Sequence, residues 1–173
     1  MNLKIQLLLF SFLITIFDLK CQTVNHVFKI DDLLYRIKSK DTLYIVNFWA
    51  TWCKPCVAEL PAFDSLYIRT QNQKVKILLV SLDFAENISD KVNPFLIKNK
   101  IKSTVVLLDE INGNDFITKI SKNWSGSIPA TLFKKGKETV LVEKKLRLTD
   151  LQIQIDKLLN NEFVKTNKRQ SKA

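Results

Sequence analysis

The sequence predicts an α/β fold with a central mixed β-sheet flanked by helices on both faces. From Val24 onward, apolar runs of strand length alternate with stretches whose apolar residues recur at helical spacing. The last two strand-like runs are joined by five residues that include a glycine. That spacing is the mark of an antiparallel hairpin and makes the sheet mixed. Only three Gly and four Pro occur in 173 residues, so short connections between regular elements are expected.

Residues 31–38 predict a short helix that turns Leu33, Leu34 and Ile37 inward. Residues 43–49 (LYIVNFW) are β-branched and aromatic with little alternation, which suits a central strand buried on both faces. A helix is expected over 54–70, with Val57, Leu60, Phe63 and Tyr67 on one side and a kink at Pro61. Residues 77–82 (ILLVSL) form the second strand, and a helix follows over 89–99, its start blurred by Pro94. A third strand is expected over 105–108, then a helix over 115–124 with Phe116, Ile120 and Trp124 on one side. Strands 130–133 and 139–142 make the hairpin. A final helix starts at Thr149, where Thr149 and Gln152 have capping-box spacing, and buries Leu151, Ile155, Leu158 and Leu159. From Leu43 the order is β-α-β-α-β-α-β-β-α. This is one domain over 24–163, expected to be a monomer, followed by a disordered basic tail over 164–173.

The formal charge is +10, but much of the excess is terminal: Lys165, Lys168, Arg169 and Lys172 stand among the last nine residues without an acid. The other cations are scattered among acids, and no stripe of Arg alternates with aromatics. A solvated basic surface is therefore expected, and no nucleic-acid partner. At the other end, Lys4 precedes an apolar run from Ile5 to Phe17, then Asp18-Leu19-Lys20-Cys21-Gln22. The run is short for a membrane span and suits the core of a secretory signal. Residues 1–22 are read as a signal peptide or N-terminal membrane anchor, with a buried N-terminal element as the alternative. No small-x-small triplet marks a cleavage site. Cys21 sits where a lipoprotein carries its acylated cysteine, although Leu19 and Lys20 replace the small residues that motif asks for. The expected location is periplasmic or extracytoplasmic, with attachment through the uncleaved signal or through lipid on Cys21.

The chemistry-bearing segment is Phe48-Trp49-Ala50-Thr51-Trp52-Cys53-Lys54-Pro55-Cys56, a C-x-x-C at the junction from a buried strand into a helix. A thiol in the first helical turn faces unpaired backbone N–H groups, which favour its thiolate. Cys53 is therefore the expected nucleophile. Cys56, one turn further in, is the expected resolving thiol of a redox-active disulfide. Pro55 is tolerated because its missing N–H falls in the first turn. A zinc site would need four ligands, and only Cys21 and His26 remain outside the pair, so no metal is expected. A structural disulfide closing so small a loop would be a weak staple. The peroxidatic pattern Pro-x-x-x-Thr-x-x-Cys fails, because no proline stands near Phe48.

FWATWCKPCVAELP resembles the active-site segment of ResA/TlpA-type thioredoxin-like proteins, and Ser127-Ile128-Pro129-Ala130-Thr131-Leu132-Phe133 is similar to that family's second motif. The resemblance spans roughly 24–161 in element order and implies a thioredoxin fold, an extracytoplasmic membrane-tethered setting and thiol:disulfide exchange without a dissociable cofactor. Pro129 matches the family's cis-proline, which faces the cysteine pair. Ile128, just before it, is expected to pair through its backbone with an extended substrate strand. Asn47, which cannot take a proton, stands where thioredoxin has a buried Asp. Glu59 matches a Glu three residues after the second cysteine, on the side of Cys56, where a carboxylate can exchange a proton. The plain alternative for Glu59 is a surface charge near a helix start. Trp49 is expected in the core and Trp52 at the rim, where it could offer partners an apolar contact.

The resemblance implies a reductant acting on disulfide-containing exported proteins such as apocytochrome c, fed by a membrane thiol-reductant donor. The competing reading is a redox-inactive thioredoxin-like module whose basic surface docks a membrane or a partner protein.

Overall fold

The computed structural model describes residues 23–110 and 112–170, excepting the side chains of 115 and 160–170. The signal or anchor reading and the reading of Cys21 lie outside the described residues. Six strands form one sheet: β1 (His26–Phe28), β2 (Leu43–Trp49), β3 (Val75–Ser81), β4 (Thr104–Leu108), β5 (Ala130–Lys135) and β6 (Glu138–Val142). Their spatial order is β1-β4-β3-β2-β5-β6. The first four are parallel to one another, while β5 runs antiparallel to β2, and β6 to β5. Among the described residues six α-helices accompany them: α1 (Ile30–Arg36), α2 (Lys54–Val57), α3 (Leu60–Arg69), α4 (Asn93–Lys98), α5 (Gly113–Ile120) and α6 (Leu148–Gln170).

The central position of β2 explains its sequence. With helices over both faces, neither set of alternating side chains meets water, so LYIVNFW shows no polar alternation. Leu43, Ile45 and Trp49 pack in one core with residues of α2, α3, α4 and α6. Val46 and Phe48 pack in the other with residues of α1 and α5. Asn47 falls between Ile45 and Trp49 and therefore shares their face of the sheet.

Several sequence-based boundaries are corrected. The helix expected over 54–70 is two helices broken at Ala58 and Glu59. Pro61 explains the break: it has no N–H to give, and its ring would meet the carbonyl four residues back, so α3 restarts with Pro61 in its first turn. In the segment expected as a helix over 89–99, a 3₁₀ turn (Ala85–Asn87) and a π turn (Ile88–Val92) lead into α4, which places Pro94 in its first turn. The helix expected over 115–124 starts earlier, because Asn112 Oδ1 accepts from Asn114 N–H at 3.1 Å, and ends at Ile120. Trp124 lies past its end and packs on Phe48 at 4.7 Å between ring centroids.

The hairpin connector shrinks to Gly136-Lys137, with Gly136 at φ 57°, a conformation that costs glycine least. The start of α6 is held by Asp150, whose carboxylate accepts from Arg147 N–H at 3.0 Å, and not by the Thr149–Gln152 pair. No Gly or Pro stands between Leu148 and Gln170, so nothing in the backbone stops the helix at Phe163, where the sequence reading starts a tail. Residues 171–173 lie outside the described residues. Strand β1 is missed from sequence: three residues are too few to show a period, and its place depends on pairing with β4.

Candidate active site

Strand β2 delivers Trp49 to the end of the sheet, and the turn that follows closes with Cys53 N–H donating to Ala50 O at 3.1 Å. Cys53 then caps α2, with Pro55 in the first turn. Cys53 and Cys56 form a disulfide. Cys56 N–H also points at Cys53 Sγ, 3.3 Å away. Because α2 is a single turn, the donors near Cys53 are these local amides and not a long helix.

The two sulfurs are not equivalent. Cys53 is 6% exposed and Cys56 is fully buried, so only one end of the disulfide can be reached from outside. Across from Cys53 lies the Ile128–Pro129 peptide, which is cis. Ile128 O is 3.9 Å from Cys53 Sγ. The structure therefore brings together Cys53, Cys56, Ile128 and Pro129 across 75 residues of chain. Trp52 is 66% exposed beside the pair, whereas Trp49 is wholly buried and packs on Phe95.

Glu59 occupies the break between α2 and α3 and is 1% exposed, which removes the surface-charge reading. Its N–H donates to Cys56 O at 3.1 Å, tying it to the inner cysteine of the pair. Oε1 accepts from Asn47 Nδ2 at 2.7 Å, and Oε2 accepts from Leu146 N–H at 2.6 Å. Burial pushes the Glu59 carboxyl above the usual carboxylate range. The two N–H donors and the nearby charge of Lys145 work against that rise without cancelling it. A carboxyl placed this way, beside Cys56 and held above its ordinary range, is positioned to take and return a proton.

Sequence reasoning missed the support of the active-site turn. Asp83 is buried at the end of β3. Its Oδ1 accepts from Thr51 Oγ1 at 2.6 Å, and its Oδ2 accepts from Thr51 N–H at 3.0 Å and Ser81 Oγ–H at 2.7 Å. Leu82 N–H adds a bond to Trp49 O at 2.8 Å. These bonds lock the residue before Trp52 to the residue before Phe84, itself 71% exposed. A lone Asp after a strand gives no sign of a partner 32 positions away. Among the described residues, no group of three or more His, Cys, Asp and Glu could hold a metal ion, and no helix is long and apolar enough to cross a membrane.

With the reactive pair and its cis-proline placed, the comparison with known proteins is direct. Residues 16–140 match the AhpC/TSA family. The chain belongs to that family. It is 37% identical over 71 residues to the sporulation thiol-disulfide oxidoreductase A of Bacillus subtilis (strain 168), covering 41% of this chain and 43% of that protein. It is 34% identical over 100 residues to the thiol-disulfide oxidoreductase ResA of Bacillus cereus (strain ZK / E33L), covering 57% and 51%. A thioredoxin-related protein from Neisseria meningitidis serogroup B superposes with a TM-score of 0.58 at 26% identity, over 69% of this chain and 84% of that one. The fold is thus thioredoxin-like, as the resemblance implied. Each alignment to these two curated relatives spans only about half, or less, of the relative's length.

Proposed function

We propose that this chain is a thiol:disulfide oxidoreductase that reduces disulfides in proteins outside the cytoplasm, with Cys53 as nucleophile and Cys56 as resolving thiol. The observation that carries this reading is the unequal exposure of two bonded sulfurs, one reachable beside the Ile128 carbonyl and the other sealed.

In the reduced protein the Cys53 thiolate attacks one sulfur of a partner disulfide. A Cys53–partner bond forms, the partner's own S–S bond breaks, and its other sulfur leaves and takes up a proton. Cys56 then gives its proton to Glu59 and attacks Cys53 Sγ, which breaks the mixed disulfide. The partner leaves with its second thiol, which takes the proton that Glu59 releases. Two electrons have moved to the partner, and the protein holds the Cys53–Cys56 disulfide. A thiol-reductant donor in the membrane would return it to the dithiol state.

Cys53 is favoured as a thiolate by the Cys56 N–H at its sulfur. Ile128 and Trp52 would receive the partner, the first through its backbone beside the cis-proline and the second through an apolar contact. The apolar run from Ile5 to Phe17 supports export, with residues 1–22 or a lipid on Cys21 as the tether. Exported apocytochromes are one substrate class that fits such a reductant.

Reduction of insulin disulfides with dithiothreitol as electron source tests the proposal. Wild-type protein should accelerate it, and Cys53→Ser should fall to background. Equal background rates in both would instead favour the redox-inactive docking module. With Cys56→Ser, the mixed disulfide on Cys53 should persist long enough for the partner to be identified by mass.

A further inference from the structure

Asn47 is assigned no part in the exchange steps, yet it lies fully buried in the middle of the central strand. Its Nδ2 donates twice, to Glu59 Oε1 at 2.7 Å and to Thr131 Oγ1 at 3.1 Å. Both hydrogens of the amide are therefore used. Its Oδ1 is buried and has no hydrogen-bond partner. A core position seldom leaves an acceptor bare unless the other side of the group is needed. Leucine at position 47 would fill the same face without an orphaned atom, but it would strip Glu59 of a donor.

The arrangement suits one protonation state of Glu59. Turning the amide over would set Asn47 Oδ1 against Glu59 Oε1, acceptor against acceptor, unless the carboxyl kept its proton. Thr131 takes the second hydrogen of the amide in the observed setting. It is the register partner of Asn47 across the β2–β5 pair, and its hydroxyl oxygen already accepts from Nδ2. Leu146 N–H occupies the second carboxylate oxygen. Donors from the sheet and from the segment before α6 thus favour the anion of Glu59 against the burial that favours its acid. The groups that bear on its charge are Lys145 from that segment and, once the disulfide is reduced, Cys56 of α2, whose carbonyl accepts from Glu59 N–H. Strands β2 and β5 contribute only the uncharged Asn47 and Thr131.

We propose that Asn47, oriented by Thr131, is a positioning residue that favours the carboxylate form of Glu59 and thereby tunes the pH at which the Cys53–Cys56 pair closes. The inference rests on Glu59 as the proton acceptor of the resolving step. Thr131 is two residues from Pro129, so the same polar line joins the proton acceptor to the strand that receives the partner.

The test follows the Glu59 side-chain carboxyl by ¹³C NMR across pH in the full-length reduced protein, alongside the pH profile of dithiothreitol-driven disulfide reduction. Asn47→Ala removes a donor to the charged form. It should move the carboxyl titration to higher pH and lower the rate on the acid side of the profile about tenfold. The same substitution in a Glu59→Gln background should leave the shape of the profile unchanged. Thr131→Val, nearly isosteric, should move the titration in the same direction by less, and it decides the matter should Asn47→Ala not fold. An unmoved carboxyl titration in the folded variants would overturn the role of Asn47. A Glu59→Gln profile identical to wild type would instead overturn the catalytic reading of Glu59, while the carboxyl titration still judged Asn47.

Discussion

The two faces of the sheet are built from neighbouring residues of the same strands and differ in what they tolerate. The face under α1 and α5 is a continuous apolar core in which Val46, Phe48, Val80 and Leu132 meet Phe116 and Trp124. The face under α2, α3 and α6 buries Trp49, Phe63 and Phe133, but it also admits Asn47, Glu59 and Thr131, with one amide oxygen left bare. A folding domain gains nothing from that polar line, since burying a carboxyl is opposed by desolvation. Glu59 ties that line to Cys56 through its N–H bond to Cys56 O, which gives the line a use in the proposed exchange. One face holds the molecule together, and the other gives up stability for the proposed chemistry.

The largest effect should come from the apolar face. Phe48→Ala should destabilise the domain by about 3–5 kcal/mol in urea unfolding, while the folded fraction keeps its exchange rate. On the polar face the pattern should reverse. Glu59→Gln should slow disulfide exchange on the order of a hundredfold near neutral pH. Its effect on stability should depend on pH, with a definite sign. Because the folded state holds the Glu59 proton more tightly than the unfolded chain, wild-type stability should fall as pH rises from the usual carboxylate range to the raised value, and Glu59→Gln should lack that slope in urea midpoints.

Much of this division is legible in the sequence, and the rest is not for physical reasons. LYIVNFW announces a strand buried on both faces, and C-x-x-C after it announces a reactive pair, while the proline facing that pair was legible only through the family resemblance of Ser-Ile-Pro. Glu59 could be named through the family resemblance, but its burial depended on the break that Pro61 imposes, which the sequence showed only as a kink. Asn47 was visible as a residue unable to hold a proton. Its bond to Glu59 required β2 and the α2–α3 break to be placed together. Asp83 and Leu146 act through contacts 32 and 87 positions away, and the bonding atom of Leu146 is a backbone N–H that no residue type signals.

Smaller effects are expected away from the two core faces. Asp83→Ala strands the Ser81 and Thr51 donors beneath the active-site turn. It should cost about 1–3 kcal/mol in unfolding experiments and slow exchange severalfold as Trp52 and Cys53 lose their footing. The smallest change should come from Asp150→Asn at the exposed start of α6. Arg147 holds the Asp150 carboxyl down to about 2, so its contribution is complete above the usual carboxylate range and is lost as pH falls through about 2. Thermal midpoints of wild type and Asp150→Asn should differ slightly at neutral pH and converge in acid.

The central claim is that the reachable sulfur of a buried pair is the reactive one, and pH-dependent alkylation of the reduced protein tests it most directly. With the modified cysteine located by mass, Cys53 should react first, with a midpoint below that of a free thiol, while Cys56 stays protected until the protein unfolds. Equal labelling of both cysteines, or a Cys53 midpoint matching free cysteine, would contradict the account.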